Sequence, residues 1–222
     1  MLPDSPVVPA DARARRWGVV VPVKRLAVAK SRLAAYGDAA RRELALAFAA
    51  DVVAAARRCD VVEQVLVVTD DADAARVLAG LGAEVAPDHP DAGLNPALEH
   101  GAELLRERSP GLGVVTLSSD LPALRPTDLE AVLAQVPPGG RAFVADVAAT
   151  GTTLLAASSP APLSPSYGPG SRDRHLRSGA VELAAPAGLQ RDVDTPEDLR
   201  EAVALGVGDR TAAVLAGLAT PR

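Results

Sequence analysis

Short apolar runs separated by amphipathic stretches constrain what this chain can become. Trp17 to Val23, Val61 to Thr69 and Gly113 to Leu117 are apolar at mostly consecutive positions, the pattern of strands covered on both faces. Between them, from about Asp38 to Arg58, Ala72 to Leu81 and Asn95 to Arg108, apolar residues recur every three to four positions, as on helices with one buried stripe. Alternation of this kind leads to a mostly parallel central sheet flanked by helices, an α/β fold. Further strands are expected at Ala83 to Ala86, Arg141 to Ala145 and Gly151 to Ala157, a helix at Pro126 to Gln135, and a mainly helical tail from Pro196 to Leu218 interrupted near Gly206 and Gly208. Asn95 reads as an N-cap with Pro96 at N1, and Thr195 as the N-cap before Pro196.

At 222 residues the chain fits one domain that buries roughly 70 % of its unfolded surface. Aromatic residues make up only 2 % of it, so the core has to be built from Ala, Val and Leu. A net charge of −5 argues against nucleic-acid binding, which needs a basic face. The single cysteine, Cys59, excludes a disulfide within the chain and a cysteine-built metal site. No apolar stretch reaches the length of a membrane span. Residues 1–16 hold prolines and arginines but no apolar segment of a secretion signal; they read as a flexible arm before a domain at 17–222, and a cytoplasmic location is expected.

Two acidic segments carry the most chemistry. Ser119-Asp120-Leu121-Pro122 follows the Gly113 to Leu117 strand, which puts Asp120 at the carboxyl edge where open α/β sheets place ligands. Asp192-Val193-Asp194 runs into the helix start at Thr195. Carboxylates at such edges suit Mg²⁺, which takes one or two of them together with substrate phosphates. Each aspartate alone could equally cap a turn, the commoner role of a loop aspartate.

Three other groupings stand beside them. Lys24, Lys30 and Arg32 crowd the loop after the first strand, a cradle for polyphosphate or else a solvated basic turn. The spaced glycines of a Walker loop or a dinucleotide fingerprint are missing there. Gly93-Leu94-Asn95 offers an amide able to read a base edge, although capping is the commoner use of such an asparagine. Thr152, with Gly168, Ser171, Arg172 and His175, supplies N–H, hydroxyl and guanidinium donors for a small anion; His175 next to arginines is expected to be neutral. The Pro-, Ser- and Gly-rich stretch from Ser158 to Ser171 is either a linker or a substrate loop.

Taken together, Val21-Pro22-Val23-Lys24, Ala29-Lys30-Ser31-Arg32-Leu33, Gly93-Leu94-Asn95, Ser119-Asp120-Leu121-Pro122, Thr150-Gly151-Thr152, the segment from Tyr167 to His175 and Asp192-Val193-Asp194-Thr195-Pro196 resemble the guanylyltransferases of coenzyme F420 biosynthesis. The resemblance runs from about Trp17 to Gly217, with the motifs in the family's order. It implies a single-domain Rossmann-like, glycosyltransferase-A-like nucleotidyltransferase fold. The activity it implies is transfer of GMP from GTP to a three-carbon phospho-acid, phosphoenolpyruvate foremost and 2-phospho-L-lactate as the alternative, with release of pyrophosphate. Carried over by position, Asp120, Asp192 and Asp194 hold Mg²⁺, while Thr152, Gly168 and Ser171 hold the phospho-acid. Lys24, Lys30 and Arg32 meet the GTP phosphates, and Asn95 faces the guanine. Tyr167 departs from the expected Phe and puts a hydroxyl near the acceptor. A homodimer is the one protein partner allowed for. The competing readings are a sugar or cofactor nucleotidyltransferase, whose Gly-Gly-x-Ser-x-Arg opening is missing here, and a non-catalytic GTP-binding regulatory module, which would not need the loop from Thr150 to His175.

Overall fold

Consecutive apolar residues on a strand send side chains alternately to opposite faces, and the first strand uses both. The computed structural model describes residues 16–219; the expected arm, Arg16 aside, lies outside the described residues. Val19 and Val21 pack with Ala49, Val52 and Val53 on one face, while Val20 between them packs with Leu98, Ala102 and Leu105 on the other. The strand is thus covered by a helix on each side, which is why its sequence does not alternate.

The strands β1 (Trp17–Pro22), β2 (Val62–Val68), β3 (Glu84–Ala86), β4 (Gly113–Leu117), β5 (Arg141–Ala145), β6 (Thr152–Ala157) and β7 (Val181–Glu182) form one seven-stranded sheet in the order β3-β2-β1-β4-β6-β5-β7. Its pairings are parallel except those of β6, which runs antiparallel to β4 and β5. The helices are α1 (Asp38–Arg57), α2 (Ala72–Ala79), α3 (Leu94–Arg108), α4 (Pro126–Leu133), α5 (Ser171–Arg177), α6 (Ala187–Gln190), α7 (Pro196–Leu205) and α8 (Asp209–Ala219). A 3₁₀ turn over Ser31–Tyr36 follows the basic loop. No helix among the described residues is long and apolar enough to cross a membrane.

The longer elements fall where the sequence puts them, to within a residue or two at most ends. The 3₁₀ turn, α5, β7 and α6 are too short to show a clear period and were not anticipated. Thr195 caps α7 in a full capping box: its hydroxyl accepts the Asp198 N–H and the Asp198 carboxylate accepts the Thr195 N–H, an arrangement whose cap alone stabilises a helix by about 1 kcal/mol. Asn95 is a correction. Gly93 takes the N-cap position of α3, which begins at Leu94, and Asn95 lies inside the first turn with its side chain turned away from the helix end. The core is built from Ala, Val and Leu as composition requires, with Trp17, Phe48 and Phe143 as its large aromatic members. Cys59 is buried, and its burial pushes the thiol pKa up.

Candidate functional site

β1 has β2 on one side and β4 on the other, so strand order reverses at β1, the switch point where α/β sheets bind ligands beyond their carboxyl ends. A cleft of about 560 Å³ opens there. The loop after β1 supplies Lys24, Lys30 and Arg32, the loop after β4 supplies Asp120, and β6 begins at Thr152. Tyr167, Gly168 and Ser171 line it from the Pro-rich stretch, and Asp192 and Asp194 come from the segment before α7. The Ser158 to Ser171 stretch is therefore a cleft-forming loop, not a linker.

One structural tie joins the two distant acidic segments, and a second joins the basic loop to them. The Val193 N–H donates to the Asp120 carbonyl at 3.0 Å, so the segments are joined backbone to backbone. Val193 also buries its side chain with Leu33, Leu44, Phe48, Leu199 and Ala202 in a small separate core. Leu33, fully buried, follows Lys30 and Arg32 closely, so the burial that anchors the basic loop also seats the acidic one. A fully buried leucine contributes about 1.5–3 kcal/mol.

The charges then meet. Lys30 Nζ donates to Asp120 Oδ2 and, at 2.7 Å, to Asp194 Oδ1. Arg32 Nη1 lies 3.7 Å from Asp194 Oδ2. Lys30 adopts a left-handed backbone, φ 54°, which is strained for a residue with a Cβ. Burial pulls the Lys30 pKa down, but Asp120 and Asp194 outweigh it and hold the ammonium above its usual value. Asp192 has the opposite problem: burial, and then the charges of Asp120 and Asp194, push its carboxyl pKa up to about 7. Lys30 does not neutralise this group of carboxylates completely. Asp120 Oδ1 is buried and has no hydrogen-bond partner among the described residues. An orphaned carboxylate oxygen beside a second carboxylate that resists ionising is a donor set that fits a hard divalent cation. Among the described residues, a group of three carboxylates close enough together to share one ion lies elsewhere, at Asp70, Asp88 and Asp91 beyond β2 and β3.

Before β6, the β5–β6 turn is held by Asp146, whose carboxylate accepts the N–H groups of Thr150 and Gly151, each at 2.9 Å. A Cβ on Gly151 would fall 2.4 Å from Asp146 Oδ2, so the turn that presents Thr152 requires glycine. Gly168 lines the cleft at φ +119°, a conformation natural only to glycine. Ser171, 1 % exposed, donates its hydroxyl to Thr152 Oγ1 at 3.1 Å.

Three residues expected to touch substrate do not line the cleft. Arg172 is committed to Glu182 in a two-pronged pair, Nε–Oε1 2.9 Å and Nη2–Oε2 2.8 Å, so its fork is not free for phosphate. His175 is fully buried; burial and the charges of Arg141 and Arg174 lower its pKa to about 4, so it is neutral as expected but sits behind Thr152. Asn95 uses both ends of its amide on the Tyr167 backbone, accepting its N–H at 2.7 Å and donating to its carbonyl at 3.2 Å. It clamps the loop that carries Tyr167 and Gly168 to the start of α3. The Tyr167 hydroxyl meets the buried Thr116 Oγ1 at 2.6 Å.

Arg41 was missed. It is 6 % exposed and donates to the carbonyls of Leu26 at 3.2 Å, Ala27 at 2.9 Å and Ala29, which shapes the loop that carries Lys24 and Lys30. Nothing in the sequence separates it from its neighbour Arg42.

The model of the family described as "Guanylyl transferase CofC like" matches residues 17–220. A phosphoenolpyruvate guanylyltransferase from Thermomonospora curvata is 55% identical over 202 residues, which cover 90% of this chain and 89% of that protein. One of the same name from Streptomyces scabiei is 55% identical over 213 residues, 93% and 99% of the two chains. Among solved structures, 4-diphosphocytidyl-2C-methyl-D-erythritol synthase from Anaerococcus prevotii matches with a TM-score of 0.59 at 11% identity, over 86% of this chain and 96% of that one; at that identity the likeness shows the nucleotidyltransferase fold alone. With the model matched from β1 into α8, the chain belongs to the family of CofC-like guanylyl transferases.

Proposed function

We propose that the protein, acting as a single nucleotidyltransferase domain in the cytoplasm, transfers GMP from GTP to phosphoenolpyruvate. The products are enolpyruvyl-2-diphospho-5'-guanosine and pyrophosphate, and 2-phospho-L-lactate is the alternative acceptor. The observation that carries this reading is the meeting of Asp120, Asp192 and Asp194 with Lys30 and Arg32 in one cleft opposite Thr152, Gly168 and Ser171. The choice of phosphoenolpyruvate rests on the names of relatives more than half identical to this chain.

In this reading a phosphate oxygen of the phospho-acid bonds to the α-phosphorus of GTP. The bond from that phosphorus to the oxygen bridging to the β-phosphate breaks, and pyrophosphate leaves. The nucleophile is already anionic near neutral pH, since a phosphate's second pKa is about 6, so the step needs no general base. The chain's task is alignment and charge compensation. Thr152 and the backbone at Gly168 hold the acid, with Ser171 behind them giving its hydroxyl proton to Thr152, and Lys24, Lys30 and Arg32 stand where they can meet the negative charge of the triphosphate. Asp120 and Asp192, with Asp194 beside them, would hold Mg²⁺, which when bound supplies Lewis-acid neutralisation of phosphate charge.

The test is incubation with GTP, Mg²⁺ and each acid separately, reading pyrophosphate release and the mass of the guanylylated product. Product with phosphoenolpyruvate is the expected result. GTP binding without acid-dependent pyrophosphate release would instead mark a regulatory GTP-binding module.

A further inference from the structure

Buried hydrogen bonds around Thr152 leave a defined direction for every proton. A backbone N–H can only donate, so His175 Nε2, which receives the Ser166 N–H at 3.0 Å, carries no proton. The neutral ring must then hold its proton on Nδ1, which faces Thr152 Oγ1 at 2.9 Å. Thr152 Oγ1 therefore accepts from His175, and it also accepts from the Ser171 hydroxyl at 3.1 Å. A hydroxyl oxygen has two lone pairs and one proton. With both lone pairs engaged from inside the protein, the Thr152 hydroxyl is left as a donor, and Thr152 lines the cleft.

We propose that His175 is a positioning residue that never touches substrate: locked as the Nδ1–H tautomer by the Ser166 N–H, it fixes Thr152 as an obligate hydrogen-bond donor toward the anionic phospho-acid. The inference deepens the proposed function and rests on that reading for the identity of the ligand. It also explains why a histidine lies buried against the rings of Phe143 and Tyr167, 5.6 and 5.5 Å away between centroids. An apolar residue there would fill the space but would let the Thr152 hydroxyl turn inward and present lone pairs to an anion.

Two substitutions separate this role from simple packing. The amide nitrogen of His175→Asn falls near Nδ1 and can still donate to Thr152. His175→Gln reaches the Nε2 position, keeps a partner for Ser166 and loses the donor to Thr152. The expected result is an apparent KM for phosphoenolpyruvate raised roughly tenfold to a hundredfold in His175→Gln, the worth of one hydrogen bond to a charged group. His175→Asn should stay close to wild type, and the KM for GTP should be unchanged in both. In a Thr152→Val background, His175→Gln should add nothing further. If both variants raise the KM in step with their loss of thermal stability, or if the two substitutions are additive, the proposal is overturned. Nitrogen-15 NMR of the His175 ring in the ligand-free protein at neutral pH needs no substrate. It should show a protonated Nδ1, and a protonated Nε2 would overturn the proposal by itself. A wild-type protein inactive toward both acids would sink the proposed function instead, leaving the tautomer measurement to decide this inference.

Discussion

Lys30 Nζ lies 2.7 Å from Asp194 Oδ1 and also reaches Asp120, so a side chain of the basic loop acts as the cation between two acidic segments. A tethered ammonium and a divalent ion favour the same oxygens. Lys30→Met keeps much of the length and removes the charge. In the absence of nucleotide, its affinity for Mn²⁺, followed by the spin resonance of the free ion, should therefore rise by about tenfold, the scale of one charge–charge contact in a partly buried site. Turnover should fall if, as proposed, Lys30 also meets the phosphates of the nucleotide. An unchanged or weaker Mn²⁺ affinity would show that the lysine does not compete.

Asp120→Asn and Asp192→Asn each remove one carboxylate while keeping the shape of the side chain. Each should lower the rate of acid-dependent pyrophosphate release at least about a hundredfold, corresponding to several kcal/mol of lost transition-state stabilisation. Near-normal turnover in either variant would move the metal away from that residue.

What the sequence made legible was whatever depends on period or on edge position. β1, β2 and β4 showed as consecutive apolar runs, and Asp120, Lys24, Lys30 and Arg32 were found because the residues after such strands must lie at the sheet's carboxyl edge. Asp192 and Asp194 showed through the Thr195-Pro196 helix start that follows them. Side-chain commitment was not legible. Arg172, His175 and Asn95 carry the groups a substrate needs, yet Glu182, Thr152 and the Tyr167 backbone take those groups first. Those partners lie 10, 23 and 72 positions away, and no local pattern pairs them.

Arg41 offers a test of the loop independent of the metal. Its guanidinium satisfies the carbonyls of Leu26, Ala27 and Ala29. Arg41→Met would strand these acceptors beside an apolar chain at a cost of about 2–4 kcal/mol. The expected outcome in urea unfolding is a lower midpoint with an unchanged slope. Because the same loop carries Lys24 and Lys30, the KM for GTP should rise more than that for the acid. Equal effects on both substrates would mean the loop keeps its shape without this residue.

Tyr167 stands where Phe was expected, and its hydroxyl is spent on Thr116, while burial pushes its pKa well up. Tyr167→Phe should leave the preference between phosphoenolpyruvate and 2-phospho-L-lactate unchanged and cost about 1 kcal/mol of stability, the usual net worth of one hydrogen bond. Thr116 keeps a second partner in the Leu155 carbonyl at 3.3 Å, so the loss should stay small. A change in acceptor preference would place the hydroxyl in the pocket after all.

The buried His175 predicts a particular pH dependence of stability. Its folded pKa of about 4 lies below the ordinary 6.5 because of burial and the charges of Arg141 and Arg174; Tyr167 is the other titratable group against the ring and stays neutral throughout the acid range. Between those two values the unfolded chain binds a proton that the folded one refuses. The stabilisation is therefore fully present above about pH 6.5 and is lost as the pH falls towards 4, with a slope of at most about 1.4 kcal/mol per pH unit. His175→Gln removes the titrating group. Its stability relative to wild type should improve steadily as the pH is lowered from 7 to 4, whatever the fixed cost of the substitution at neutral pH. Urea midpoints for the two proteins across that range provide the measurement. Parallel curves would mean that the wild-type imidazole takes up its proton while the protein is still folded, and with a proton on Nε2 it could no longer accept the Ser166 N–H.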